Sequence, residues 1–168
     1  MQYYTTSEIQ SIAILILFLS YFIWKMKRIQ QRFQNKSLLK RNRTLKKLKR
    51  LSWDDFEVLC MQLFAKIGWS VRGNRKKGAD GGVDLWMQKR SFTKKNITAI
   101  VQCKRYDDAM VTIKVIREMY GLMHEYHVDE AYIITTSRFT KECYSFVKDK
   151  KIRLIAGEDL VKLVAKYA

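Results

Sequence analysis

The sequence predicts an α/β fold: helices flank a central mixed β-sheet in a sandwich preceded by one transmembrane helix. Three observations lead there. Apolar residues between positions 52 and 167 switch repeatedly between helical spacing and strand-like runs. The order of those segments is helix, strands, helix, strand, helix, strand, helix, which is the pattern of an α/β layered domain. Ahead of them lies an apolar stretch with a dense basic block behind it.

That stretch, residues 9–24 (IQSIAILILFLSYFIW), carries no charge. Sixteen residues make about 24 Å of helix, against a hydrocarbon core of about 30 Å, and Ser7 and the aromatic flank of Tyr21 and Trp24 extend the span. A signal peptide places its positive charges before the apolar region and a small-residue cleavage site after it. Here no Lys or Arg precedes the run, and from Lys25 to Arg50 there are twelve Lys or Arg and no acid. The excess marks the cytoplasmic side. The expected topology is single-pass in the cell membrane, with the amino terminus outside and everything after Trp24 in the cytoplasm.

Residues 1–24 are therefore read as tail and membrane helix, 25–50 as a basic juxtamembrane linker, and 51–168 as the α/β domain. The linker has the composition of a helix or an extended arm, and lipid headgroups or DNA phosphates are its expected partners. The 168 residues leave room for one compact domain plus this appendage, and most of the net charge of +17 sits in the linker. From Leu51 onward there are twenty-one basic and fifteen acidic residues.

In the domain, Ser52 begins the first helix as a cap, with Asp54 and Asp55 in its first turn and Phe56, Leu59, Cys60, Leu63, Phe64 and Ile67 at helical spacing. Gly68 ends it. A short strand follows over residues 69–72, then a basic loop containing Lys76 and Lys77, then the glycine-rich turn GADGG. Residues 82–89 and 97–105 are expected as an antiparallel pair. A helix over residues 111–126, a strand over 131–135, a helix over 140–150, a strand over 152–155 and a helix over 158–167 complete the domain. The three cysteines, Cys60, Cys103 and Cys143, lie in apolar patterns with no zinc spacing, which fits reduced, buried thiols.

The chemistry concentrates in GADGGVDLWMQ and VQCKRY. Residues two apart in a strand share a face, so Gln102 and Lys104 project together while Val101 and Cys103 face the other way. Asp84 lies between the apolar Val83 and Leu85, and the antiparallel pairing would bring its carboxylate to the Gln/Lys pair. Carboxylate and amide oxygens are ligands for a hard cation such as Mg²⁺, with Mn²⁺ as an alternative, and Lys104 adds fixed positive charge. Glu57, at the start of the first helix, is a further carboxylate for the cation's water shell. Asp80 reads more simply as a turn carboxylate, and His124 and His127 as helix-end histidines. Lys76, Lys77, Arg105 and Arg138 are candidate DNA phosphate contacts.

Together WDDFEVLCMQLFAKIGWSV, GADGGVDL, VQCKRY, IREMYGLM, ITTSRFTKECYSFV and IRLIAGEDLVKL, across residues 52–163, resemble the Mrr-like branch of the PD-(D/E)xK restriction endonucleases. That branch is similar in placing glutamine where the wider superfamily has glutamate. The resemblance implies a restriction-endonuclease-like sandwich, Asp84 as principal metal ligand, Gln102 as second ligand, Lys104 as catalytic lysine and Glu57 as the helix-borne acid. It also implies Mg²⁺-dependent DNA hydrolysis in restriction of foreign or modified DNA. Cutting both strands calls for a second protomer or sequential nicks, so a homodimer is a candidate assembly. The competing expectation is a catalytically inactive DNA-binding module that tethers DNA to the membrane.

Overall fold

The computed structural model describes residues 6–74, 82–90 and 95–168; within helix α1 the side chains of residues 6–12 and 27–37 are outside the description. Residues 1–36 and 37–168 form two compact units. Helix α1 is Thr6–Arg41. Residues 13–26 of it are exposed, including Ile14, Leu17, Phe18, Phe22 and Trp24.

Among the described residues no helix is long and apolar enough to cross a membrane. The transmembrane helix expected over residues 9–24 is thus not found. Helix α1 runs through that segment, and the side chains of residues 9–12 lie outside the described residues.

The second unit starts within the segment read from its charge as linker. Leu39 is buried, and so is Leu48 in the short helix α2 (Leu45–Lys49), which Thr44 caps by accepting the Lys47 N–H. Lysines surround these leucines, which hides their apolar spacing from a reading dominated by charge. Helix α3 (Trp53–Lys66) begins as expected: the Ser52 side chain accepts the Asp55 N–H at 3.1 Å. It ends at Gly68, whose φ of +99° suits a residue without a Cβ.

The sheet contains β1 (Ser70–Gly73), β2 (Leu85–Lys89), β3 (Ile97–Lys104), β4 (Glu130–Thr135) and β5 (Ile152–Ile155), in that spatial order. β1, β2 and β3 are antiparallel neighbours, while β3, β4 and β5 run parallel, so the sheet is mixed. The parallel connections pass through α4 (Ile113–Glu125) and α5 (Lys141–Val147), as parallel pairing requires a crossover. Helix α6 (Gly157–Tyr167) closes the chain.

Two apolar layers sandwich the sheet. Ala99, Val101 and Cys103 of β3 join Leu85, Met87, Tyr132 and Ile134 against residues of α2, α3 and α6. Ile100 joins Ala131, Ile133 and Val83 against Ile116, Met119 and Leu122 of α4 and Cys143 of α5. The central strand is therefore covered on both faces, which is why residues 99–103 are all buried. Burial on α4 falls on Ile116, Met119 and Leu122, with Tyr120 and Met123 at the margin. Val111, expected in that helix, instead makes a parallel bridge to Phe139.

Candidate active site

Asp84 stands just before β2, where its side chain takes over from the backbone ladder. Its N–H donates to the Val101 carbonyl at 2.9 Å, and its Oδ2 accepts the Cys103 N–H at 2.6 Å. The carboxylate fills the role of a strand carbonyl, so the regular strand begins only at Leu85. Behind it, Asn74 donates its backbone N–H to the Asp84 carbonyl and its amide to the Val83 carbonyl. An ionised carboxylate has about four acceptor positions, so one backbone donor leaves capacity for a cation.

The register Leu85–Val101 and Trp86–Ile100 puts Asp84 beside Gln102, as the sequence predicts. Strand alternation turns Gln102 and Lys104 to the α4 face, while Cys103 joins the α3 side. Burial raises the Asp84 pKa, opposed by the Cys103 N–H and the positive charge of Lys104. Lys104 is half-buried at the end of β3.

Gln102 is only 2% exposed, and its Oε1 has no hydrogen-bond partner. An amide oxygen in that condition is costly to bury without a ligand. Gly82, at φ +96°, lies directly over this amide: a Cβ there would collide with Gln102 Nε2 and sit 3.6 Å from Glu118 Oε1. The missing side chain leaves room for the Gln102 amide nitrogen. The Asp84 carboxylate and the Gln102 amide oxygen are the kinds of donor a hard divalent cation takes, alongside retained waters. Among the described residues no three His, Cys, Asp or Glu side chains gather into a metal-holding group.

The remaining candidates are distributed differently. Glu57 is on α3, which packs on the Cys103 side of the sheet, and its charge reaches the Cys103 thiol from there. The Cys103 pKa is pushed up by a hydrogen bond with Cys60, then by burial and by the charges of Cys60, Asp84 and Glu57. A thiol held protonated in this way is a poor nucleophile.

Arg105 points into the protein: it donates to the Lys49 carbonyl at 2.6 Å and to Asp107 at 3.2 Å, and stacks over Trp53. Its contacts bind α2 to the end of β3, whereas the sequence suggested a phosphate contact. Arg138 is exposed in the β4–α5 connection. Lys76, Lys77 and Asp80 lie outside the described residues. In the buried TTS run, Thr136 donates to the Tyr106 carbonyl and the Thr135 hydroxyl accepts the Ser137 N–H, so these hydroxyls hold the loop. His124 packs edge-on against Tyr120.

Comparison with known families decides which fold lineage carries this arrangement. The Mrr catalytic domain family, described as a restriction endonuclease, matches residues 48–164 and so spans every site residue above. The chain belongs to this restriction endonuclease family. No curated protein sequence matches it.

Among solved structures, the DNA modification-dependent restriction endonuclease AspBHI is similar with a TM-score of 0.60 at 19% identity, covering 79% of this chain and 35% of that one. The MspJI restriction endonuclease, solved in complex with a 27-mer oligonucleotide, gives 0.49 at 17% identity, covering 67% of this chain and 27% of that one. A protein of unknown function, AF1548, gives 0.48 at 15% identity over 58% of this chain and 54% of that one. The chain thus spans about a third of the length of AspBHI, and that likeness shows a shared fold. In that fold the Mrr-type chain places Asp84, just before β2, beside Gln102 of β3, with Lys104 near enough for its charge to act on the Asp84 carboxyl.

Proposed function

We propose that this protein is a divalent-metal-dependent endonuclease that hydrolyses DNA phosphodiester bonds. The observation that carries the reading is the orphaned, buried Gln102 Oε1 beside the partly desolvated Asp84 carboxylate, within a domain of the restriction endonuclease family. Asp84 and Gln102 would hold the cation and Glu57 its water shell, with Mg²⁺ the expected ion and Mn²⁺ a substitute. When bound, such an ion acidifies a water and offsets charge building on the phosphate.

The chain's own groups do the rest. The Cys103 N–H fixes the Asp84 carboxylate, and burial fixes the Gln102 amide, so neither must reorganise when the cation and DNA bind. Lys104, two residues along the same face, supplies a positive charge to the scissile phosphate as negative charge develops on it. Restriction of foreign or modified DNA is the proposed role, since AspBHI is a modification-dependent restriction endonuclease with the same domain fold.

Attachment to a membrane belongs to the same reading. The apolar side chains of residues 14–24 are exposed, and a helix that is apolar all round is suited to lipid. Lys25 lies over the Tyr21 ring at the end of this stretch, and each basic residue near an anionic surface adds about 1 kcal/mol. Flotation of the full chain with anionic vesicles tests this part; protein left at the bottom of the gradient refutes it.

The catalytic part is tested by incubating the full chain with methylated and unmethylated plasmid and Mg²⁺, alongside Asp84→Ala and Lys104→Ala. Metal-dependent cutting lost in both variants is expected. DNA binding with no cutting by the unmodified protein would replace the nuclease with a DNA tether.

A further inference from the structure

We propose that Lys46, Lys47 and Arg50 form a phosphate-binding strip that lays the DNA backbone across the end of the sheet carrying Asp84 and Lys104. This rests on the nuclease reading above and gives the basic segment around α2 to DNA rather than to lipid. A five-residue helix has little stability of its own, and α2 is held by the domain. Leu48 is fully buried, and Leu45 packs on Gly157 at the start of α6, where a Cβ would meet Leu45 Cδ1 at 2.7 Å. Arg105, directly after Lys104, donates to the Lys49 carbonyl at 2.6 Å. In the parallel part of the sheet Lys104 pairs with Thr135 and Ile134 with Ile155, so Arg105 and Gly157 both lie just past the carboxyl ends of strands. Asp84, beside Gln102, is at that end too. The helix therefore sits on the rim of the sheet that carries the candidate site.

The cations on this rim are left without partners. With Leu48 turned inward, Lys46, Lys47 and Arg50 are exposed, and Arg50 is three residues from Lys47 and four from Lys46, so the three share one side and repel one another. The acids after β3 do not relieve them: Asp108 pairs with Lys49 at 3.1 Å and Asp107 with Arg105 at 3.2 Å. Among the described residues no ion pair engages Lys46, Lys47 or Arg50. Uncompensated cations in a row on a fixed support match a polyanion whose charges also come in a row. Phosphate contacts set the register and orientation of a duplex without reading its sequence, so these three would determine which phosphodiester reaches Lys104.

The test is the salt dependence of DNA binding, read from the fluorescence anisotropy of a labelled duplex with the full chain in nonionic detergent and EDTA, so that no strand is cut. Each phosphate contact contributes about 0.9 to the slope of log affinity against log salt concentration, so Lys46→Gln, Lys47→Gln and Arg50→Gln combined are expected to reduce the slope by about 2 to 3. Removing the same charges from the opposite end of the sheet, with Arg90→Gln, Lys148→Gln and Lys151→Gln combined, is expected to leave it nearly unchanged. Circular dichroism melting confirms that both triple variants are folded, which their exposed positions favour. If the two triple variants change the slope equally, or the first leaves it unchanged, the strip is overturned, while cutting by the unmodified chain with Mg²⁺ keeps the nuclease reading. An unchanged slope together with lost flotation on anionic vesicles would overturn the strip in favour of lipid. If the unmodified chain binds no duplex, the nuclease reading falls and the strip with it.

Discussion

Gly82→Ala isolates the geometry on which the site depends, because a second glycine in the same chain provides its control. Gly82 and Gly68 share nearly the same left-handed backbone, φ +96° and +99°. An alanine at either position incurs the same conformational cost, about 1–2 kcal/mol. They differ in what the new methyl meets: nothing within 4 Å at Gly68, but the Gln102 amide at Gly82.

The atom that must yield is the end of a side chain, so Gln102 rotates before the backbone moves. Being 2% exposed, it has little room, and an off-rotamer side chain costs about 0.5–1.5 kcal/mol. Gly82→Ala should therefore be destabilised by roughly 1.5–3.5 kcal/mol, only slightly more than Gly68→Ala. Activity separates the two far more. Displacing a positioned group by about 1 Å costs about 100-fold in rate, and only the Gly82 variant displaces one. Urea unfolding gives the stabilities, and metal-dependent plasmid cleavage, normalised to the folded fraction, gives the rates. Equal cleavage by the two variants would refute the claim that the space above Gln102 belongs to the site.

Four further outcomes are expected. Asp84→Asn keeps an acceptor for the Cys103 N–H but removes a partly desolvated charge, so without metal it should be at least as stable as the unmodified chain at pH 7 while losing cleavage. The pH dependence follows from the raised Asp84 pKa. Stability without metal is full below the ordinary aspartate pKa and declines as pH rises through the folded value, whereas Mn²⁺ affinity is full above the folded value and falls as pH drops through it; parallel titrations of stability and affinity check both. Arg105→Ala should lower stability by about 1.5–3 kcal/mol, the range for a hydrogen bond to a charged group, with DNA affinity by filter binding largely unchanged. Leu48→Ala should cost about 2–5 kcal/mol by urea unfolding, because that leucine is fully buried.

Features encoded within one or two adjacent strands were legible in the sequence. That Asp84 lies beside Gln102, with Lys104 on the Gln102 face, could be read because alternation along β3 and the antiparallel pairing of β2 with β3 determine it. Arg105 follows Lys104 directly and looked like part of a basic site, but its orientation depends on Lys49 and Trp53, more than fifty residues earlier. Leu39 was obscured because the charges around it dominate composition.

The two edges of the sheet bear on how copies of this protein could meet. β1 and β5 are each four residues long, and each carries an arginine, Arg72 and Arg153. Short, charged edges are poor templates for adding a strand from a neighbouring molecule. Such edges guard against edge-to-edge aggregation when many copies crowd together, so the ladder that places Asp84 beside Gln102 is not extended by a neighbour's strand.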